Sequence, residues 1–167
     1  MVIDLLHIEN EEIRKALTEL TDPEIPVLSI MDMGVVRHVS EKNGNVLVKI
    51  TPTYSGCPAM DMIATEIKYA LDSLGYNTDV ELVLSPAWTT DWITENGRKK
   101  LEEYGIAAPL DEQKDKRVLI DGERLIHCTN CNSTNTVMVS QFGSTACKAL
   151  FKCEDCLEPF DYFKCLK

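Results

Sequence analysis

The sequence predicts a small α+β domain with helices on one face of its sheet, followed by a β-rich module built around four cysteines. Three observations predict this architecture: a helix, hairpin, helix, strand pattern over residues 10–84, a charged stretch after residue 108, and two Cys-x-x-Cys pairs near the end. The expected boundaries are residues 1–108 for the α+β domain, 109–126 for a linker with a short hairpin, and 127–167 for the cysteine module.

The α+β pattern begins with a helix for which Asn10 is the predicted N-cap. Residues 35–40 and 46–51 form the predicted hairpin, since Asn-Gly between β-rich runs is a strong hairpin signal. Residues 58–74 repeat apolar side chains every three or four positions and stop at Gly75, which predicts the second helix. Residues 80–84 are the predicted third strand.

Two tryptophans follow this strand. Trp88 and Trp92 serve either as a binding platform or, more commonly, as cover for the edge of the sheet. Helical spacing continues to Tyr104 and ends at Gly105. Asp121-Gly122 between apolar runs predicts a short hairpin over residues 118–126.

Composition and charge argue against some classes of function. The net charge is -10; residues 1–108 hold 9 Lys and Arg against 18 Asp and Glu, and residues 109–167 hold 8 against 9. Because nucleic-acid binding needs clustered basic residues, no nucleic-acid partner is expected. Neither a membrane span nor a basic signal-peptide start is visible, so the predicted location is the cytoplasm.

Cys57 stands where the second strand meets the second helix, in Gly56-Cys57-Pro58. A thiol at a helix start is near free N–H groups and the positive end of the helix dipole, which predicts a lowered pKa and a thiolate that binds metal or attacks sulfur. The alternative is that Cys57 is a small buried hydrophobic residue.

Two carboxylates precede this region in a stiff loop. Pro23 and Pro26 exclude regular structure there, and a stiff loop can aim Asp22 and Glu24 at a common site. The alternative is that Asp22 stabilises a turn and that Glu24 is solvated.

The cysteine module carries the strongest signal in the chain. Two Cys-x-x-Cys pairs separated by 21 residues place four thiolates for one tetrahedral metal, the pattern of a zinc-ribbon-like module; they are Cys128, Cys131, Cys153 and Cys156. Its predicted strands are residues 136–142, 148–152 and 160–164. We expect structural zinc, with iron as the alternative because spacing does not separate the two metals. Cys147 and Cys165 are packing residues or, with iron, additional ligands.

Several catalytic patterns are missing. Histidine occurs only at His7, His38 and His127, and no Glu-x-x-His pair, Gly-x-Gly-x-x-Gly run or P-loop is present. These absences predict that the chain is not itself an enzyme.

Particular motifs resemble known families. The segments 22–26 and 56–58, with Gly34, Thr51 and Thr53, resemble the iron-sulfur assembly domain shared by SufT and the cytosolic cluster-targeting factors, over residues 9–105. Segments 85–93, 142–150 and 159–164 are similar to the PaaD family, the D subunits encoded with phenylacetyl-CoA epoxidases. One departure is Thr129-Asn130 with Asn132, where the family tends to carry Pro and Gly around the first Cys-x-x-Cys pair; Asn tolerates left-handed backbone, so ligation is still expected.

The resemblance implies an accessory role in phenylacetate catabolism. The chain would help assemble the iron or iron-sulfur centre of the epoxidase or its reductase, with Cys57, Asp22 and Glu24 binding iron or a cluster transiently. The implied partners are the oxygenase and reductase subunits and the iron-sulfur assembly machinery, and a homo-oligomer is compatible. Two alternatives are a non-catalytic structural subunit of the epoxidase complex and an iron-thiolate electron carrier.

Overall fold

The computed structural model describes residues 8–164, and these divide into two compact units. The first contains the chain up to Trp88 together with Trp92–Thr94, and the second contains Thr89–Asp91 and the chain from Glu95 onward. Among the described helices, none has the length and apolar character needed to cross a membrane.

The first unit is an α+β fold on a three-stranded sheet. Its strand order is β1-β2-β3, with β1 and β2 antiparallel and β2 and β3 parallel. The parallel pair needs a crossover, which α2 provides. The elements of this unit are α1 (Glu11–Glu19), β1 (Val36–Lys42), β2 (Asn45–Ile50), α2 (Ala59–Ser73) and β3 (Asn77–Leu82).

Local sequence signals account for these elements. The Asn10 side chain accepts hydrogen bonds from the N–H groups of Glu12 and Ile13, as predicted for an N-cap. Asn43 and Gly44 both have positive φ, 53° and 78°, as a type I′ hairpin turn requires. Predicted strands and helices are therefore confirmed in this unit to within a few residues.

The core of the first unit lies between its helices and its sheet. It also takes in Trp88, which is 2% exposed and donates its indole N–H to the carbonyl of Met33 at 3.0 Å. Trp88 is thus a core residue, whereas Trp92 is only half-buried. Core side chains contributed by the helices and the sheet include Ile13, Leu17, Val48, Ile50, Ile63, Ile67 and Leu71.

The second unit is β-rich. Its sheet has the order β4-β7-β6-β5, in which β4 and β7 are parallel and the other pairs antiparallel. The three strands predicted for the cysteine module are confirmed. The elements of this unit are α3 (Glu95–Tyr104), β4 (Ile106–Ala107), α4 (Glu112–Asp121), β5 (Thr136–Ser140), β6 (Lys148–Cys153) and β7 (Pro159–Phe163).

The hairpin predicted over residues 118–126 is wrong, because this region contains the last four residues of α4 and its C-cap. The Asp111 side chain accepts the N–H of Lys114 and so caps the start of the helix. Gly122, at φ 72°, is its left-handed C-cap and donates its N–H to Arg117. Asp121-Gly122 therefore ends a helix rather than turning a hairpin.

The division of the chain also differs from the predicted boundary at residue 108. The structure places α3 and β4 in the second unit, where β4 extends the sheet by pairing with β7. A two-residue strand paired in parallel with a distant segment has no local sequence signal. Hydrogen bonds of Tyr162 also join β7 to the segment after β4. Its hydroxyl donates to Asp115 and accepts the N–H of Leu110 at 3.1 Å.

Candidate metal-binding sites

The first candidate site is the turn that joins β2 to α2. Gly56 has φ 77°, and the N–H of Cys57 donates to the carbonyl of Tyr54 at 3.2 Å, which closes the turn. Pro58 has helical dihedrals in the N-cap position and offers no side-chain cap. The turn therefore leaves Cys57, half-buried, immediately before the start of α2.

The thiol of Cys57 has two hydrogen-bonding neighbours and two carboxylates near it. Burial raises its pKa most; the N–H of Ala59 and the side chain of Tyr54 oppose this, and the charges of Glu24 and Asp22 add to the rise. The pKa of Cys57 is therefore above its ordinary value. The predicted lowering is wrong, since burial and two negative charges outweigh the donors at the helix start.

The two carboxylates differ in their structural roles. Asp22 is 6% exposed, and its carboxylate accepts the N–H groups of Glu24 at 2.8 Å and Ile25 at 2.9 Å. This Asx turn is the structural role that the sequence left open for Asp22. Glu24 is half-buried in the same loop. The fold thus brings both carboxylates within electrostatic range of Cys57.

The second candidate site is the cluster of four cysteines in the second unit. The donor atoms of Cys128, Cys131, Cys153 and Cys156 all lie within 4.8 Å of one another. The Sγ atoms of Cys128 and Cys156 are 3.6 Å apart, as are those of Cys131 and Cys153. Among the residues that the structure describes, this is the one group of metal-ligand side chains that converges in this way.

Each Cys-x-x-Cys pair forms a tight turn around its first sulfur. The N–H of Asn130 donates to the sulfur of Cys128 at 3.4 Å, and the N–H of Cys156 donates to that of Cys153 at 3.5 Å. The residue after each second cysteine is left-handed: Asn132 has φ 62° and Leu157 has φ 66°. The two turns thus share a left-handed residue after the second cysteine, and the expectation that Asn tolerates this geometry is confirmed at Asn132.

The donor set fits one tetrahedral metal. With metal–sulfur bonds of about 2.3 Å, the edges of a tetrahedron measure about 3.8 Å, close to the 3.6 Å between the paired sulfurs. Tetrahedral sulfur suits zinc and iron alike. The geometry therefore defines a four-thiolate metal site without selecting the metal.

The pKa shifts of two cysteines in the cluster indicate why a cation would stabilise it. The N–H of Glu158 and the side chain of Asn130 stabilise the thiolate of Cys156 and lower its pKa to about 6. For Cys131 the N–H of Ser133 acts in the same direction, but desolvation and contacts with the other three sulfurs raise the pKa to about 12. Cys156 ionises easily, and the ionisation of Cys131 is then opposed, because thiolates without a cation between them repel each other.

Three further cysteine and histidine residues that the structure describes lie outside both sites. Cys147 is buried, 3.0 Å from the hydroxyl of Thr145, and does not join the four-cysteine cluster. His127 is exposed with its Nδ1 3.2 Å from the carbonyl of Asn132, and His38 is exposed on β1. Cys165 and His7 lie outside the described residues.

Comparison with known proteins gives a class for each unit. A family described as iron-sulfur cluster assembly protein matches residues 10–82, and the PaaD zinc beta ribbon domain matches residues 112–164. A Bacillus anthracis crystal structure of a domain of unknown function, DUF59, aligns with a TM-score of 0.50 and 24% identity, covering 54% of this chain and 88% of that one. This likeness confirms the fold of the first unit as a DUF59-type α+β domain.

Two relatives extend the comparison along the chain. The D subunit of the 1,2-phenylacetyl-CoA epoxidase of Escherichia coli K12 is 45% identical over 156 residues, covering 93% of this chain and 92% of that protein. The chain therefore belongs to the PaaD family of phenylacetyl-CoA epoxidase D subunits. The Fe-S protein maturation auxiliary factor YitW of Bacillus subtilis is 37% identical over 84 residues, which are 48% of this chain and 81% of that protein.

Proposed function

We propose that this chain is a cytoplasmic accessory protein of phenylacetate degradation. It helps to assemble or deliver the iron or iron-sulfur centre of the phenylacetyl-CoA epoxidase or of its reductase, and it is not the catalyst of the epoxidation. The observation that carries the proposal is Cys57: a single half-buried thiol with two carboxylates in range, inside a domain similar to iron-sulfur maturation factors.

The chemistry of the Cys57 site suits temporary binding of iron. Negative charges from Asp22 and Glu24 disfavour a bare thiolate and favour a cation beside it. Iron or a cluster that binds the sulfur displaces its proton, so the two events are coupled. One cysteine fills one coordination position, which leaves the others for the donor and the recipient. The partners are the iron-sulfur assembly machinery on one side and the oxygenase and reductase subunits on the other.

The four-cysteine cluster has a different task in this proposal. Cys128, Cys131, Cys153 and Cys156 hold structural zinc, a metal without redox chemistry that stabilises a small module. The match to a zinc ribbon family supports zinc over iron. The module then orients the protein on its client without taking part in the transfer.

The experiment replaces the sulfur of Cys57 with oxygen. Oxygenase and reductase are co-expressed with the wild-type chain, with Cys57→Ser, or without the chain, and their iron is measured after purification. Cys147→Ser is the matched control, since it makes the same atomic change at a cysteine outside both sites. We expect Cys57→Ser to lower iron loading to the level found without the chain, while the control loads normally.

Two results separate the alternatives. Equal iron in clients expressed with wild type and with Cys57→Ser would eliminate a delivery role for this thiol. If the chain in addition remained in the active complex at fixed stoichiometry, the role would be that of a structural subunit.

A further inference from the structure

Arg37 and Trp92 form a pair in the first unit that neither metal site uses. The guanidinium carbon of Arg37 lies 3.5 Å from the centroid of the Trp92 ring, and both side chains are half-buried. The Nη1 atom of Arg37 is shielded from solvent and has no hydrogen-bond partner. Burial lowers the pKa of Arg37, and no carboxylate among the described residues opposes this effect.

The Arg37 guanidinium has an aromatic partner but no carboxylate partner among the described residues. Residues 1–108 contain 18 acidic against 9 basic side chains, so potential ion-pair partners are abundant. Buried polar groups are normally hydrogen-bonded, and a partly desolvated charge without a partner destabilises the folded state. A purely structural arginine in such a setting would be expected to contact a carboxylate.

The backbone around the pair is built to hold it. The register of β1 against β2 shifts between Val36 and His38, which makes Arg37 the extra residue of a β-bulge, and bulges redirect side chains. Gly34, at φ 73°, admits the segment of Trp92 so closely that a Cβ there would lie 2.6 Å from the Trp92 carbonyl oxygen. The guanidinium is therefore presented on a rigid support.

We propose that Arg37, stacked on Trp92, binds a carboxylate side chain of a protein partner. With one face on the Trp92 ring and Nη1 shielded from solvent, the guanidinium keeps Nε and Nη2 for the two parallel hydrogen bonds that a carboxylate accepts. A single carboxylate is favoured over a phosphorylated ligand because the overall negative charge of residues 1–108, 9 basic against 18 acidic side chains, repels multiply charged anions more strongly. The inference rests on the proposed function for the partner's identity: the protein that receives the iron centre.

The surface near this end of the sheet fits a protein partner. Val36, Ile50 and Leu82 form one row across the three strands, so the bulge and the end of β3 lie at the same end of the sheet. Leu82 and Leu84 are 56% and 63% exposed there. Tryptophan and arginine are enriched among the energetically dominant residues of protein interfaces.

The test measures the affinity of the full chain for the purified oxygenase and reductase. We expect Arg37→Gln to weaken binding at least tenfold at low salt, with the loss shrinking as salt is added, and Arg37→Lys to restore only part because it lacks the planar fork. Arg14→Gln is the matched control, since Arg14 is an exposed arginine of the same unit paired with Glu11. Thermal unfolding of Arg37→Gln should show no loss of stability.

Each outcome decides between the two proposals. Binding of Arg37→Gln within twofold of wild type, an equal loss in Arg14→Gln, or no binding by wild type would overturn the docking inference. If iron loading still depended on Cys57 in that case, the proposed function would stand. Conversely, weak binding by Arg37→Gln together with normal loading by Cys57→Ser would retain the docking site and remove the delivery role.

Discussion

The two sulfur sites of this protein differ in the number of sulfur ligands that they would offer a metal. In the four-cysteine cluster, paired sulfurs lie 3.6 Å apart and fill a tetrahedral coordination sphere with protein ligands. At the turn before α2, one thiol stands with two carboxylates in range and leaves most of a coordination sphere open. A closed sphere retains its metal, whereas an open one permits exchange of ligands.

The two sites also differ in the pKa of their thiols. The lowered pKa of Cys156 favours its thiolate, which is the form that binds a metal. In the proposed transfer, the raised pKa of Cys57 means that an incoming cation has to displace a proton. On the same proposal, reprotonation of the thiol competes with the metal and favours its release.

Removing one ligand of the closed site should have the largest effect. Cys153 is fully buried, and Cys153→Ala takes away both a ligand and the acceptor of the Cys156 N–H. Structural zinc contributes on the order of 10 kcal/mol of apparent folding free energy to small modules, so we expect loss of zinc and unfolding of β5, β6 and β7. Elemental analysis and near-ultraviolet circular dichroism measure the two effects.

The control for that change is Cys147→Ala, which should keep one zinc per chain because Cys147 lies outside the cluster. Unaltered circular dichroism in metal-free Cys153→Ala would show that the metal does not stabilise the module. Iron with visible absorption in the wild-type protein would instead restore the electron-carrier alternative, since zinc is colourless.

At the Cys57 site, we expect the two carboxylates to differ in how much they contribute to the stability of the fold. Asp22→Ala removes the acceptor of two backbone N–H groups, and we expect a loss of about 1–2 kcal/mol in the free energy of unfolding, as for a lost helix cap. Glu24→Ala should stay within about 0.5 kcal/mol of wild type. Urea unfolding of both variants checks this, and equal losses would contradict the division of roles.

Local patterns in the sequence were sufficient for much of this fold. Asn43-Gly44 sets a turn through its own dihedrals, and each Cys-x-x-Cys turn closes on its own sulfur, so neither depends on distant residues. The Asp121-Gly122 pair shows the limit of such reasoning. A glycine at positive φ serves a hairpin turn and a helix C-cap equally well, and here Asp111 and the helix decide the outcome.

Features that depend on tertiary structure could not be predicted in this way. The position of Cys57 before α2 follows from the sequence, but the direction of its pKa shift depends on burial and on charges from a loop far away in sequence. The stacking of Arg37 on Trp92 joins β1 to a segment beyond β3, and no periodicity in either segment indicates it. No sequence pattern predicts a strand of only two residues such as β4 either.

The smallest effect concerns the proton on Cys57. Because its pKa is raised, alkylation of the thiol should have a pH midpoint above the value of about 8.5 for an ordinary cysteine. Glu24→Gln removes a negative charge that favours the protonated form, so the midpoint should move down and the rate at pH 7 should rise a few-fold. Peptide mass spectrometry isolates Cys57 from the other cysteines.

Glu41→Gln removes an equivalent charge from an exposed position on β1 and should leave the Cys57 rate unchanged. A midpoint below that of an ordinary thiol would instead favour the helix-start donors over burial. Cys57 would then be an activated nucleophile, already ionised at neutral pH, and the contrast with the four-cysteine cluster would lie in ligand number alone. A raised midpoint that falls in Glu24→Gln would establish that Glu24 adds to the effect of burial in keeping this thiol protonated.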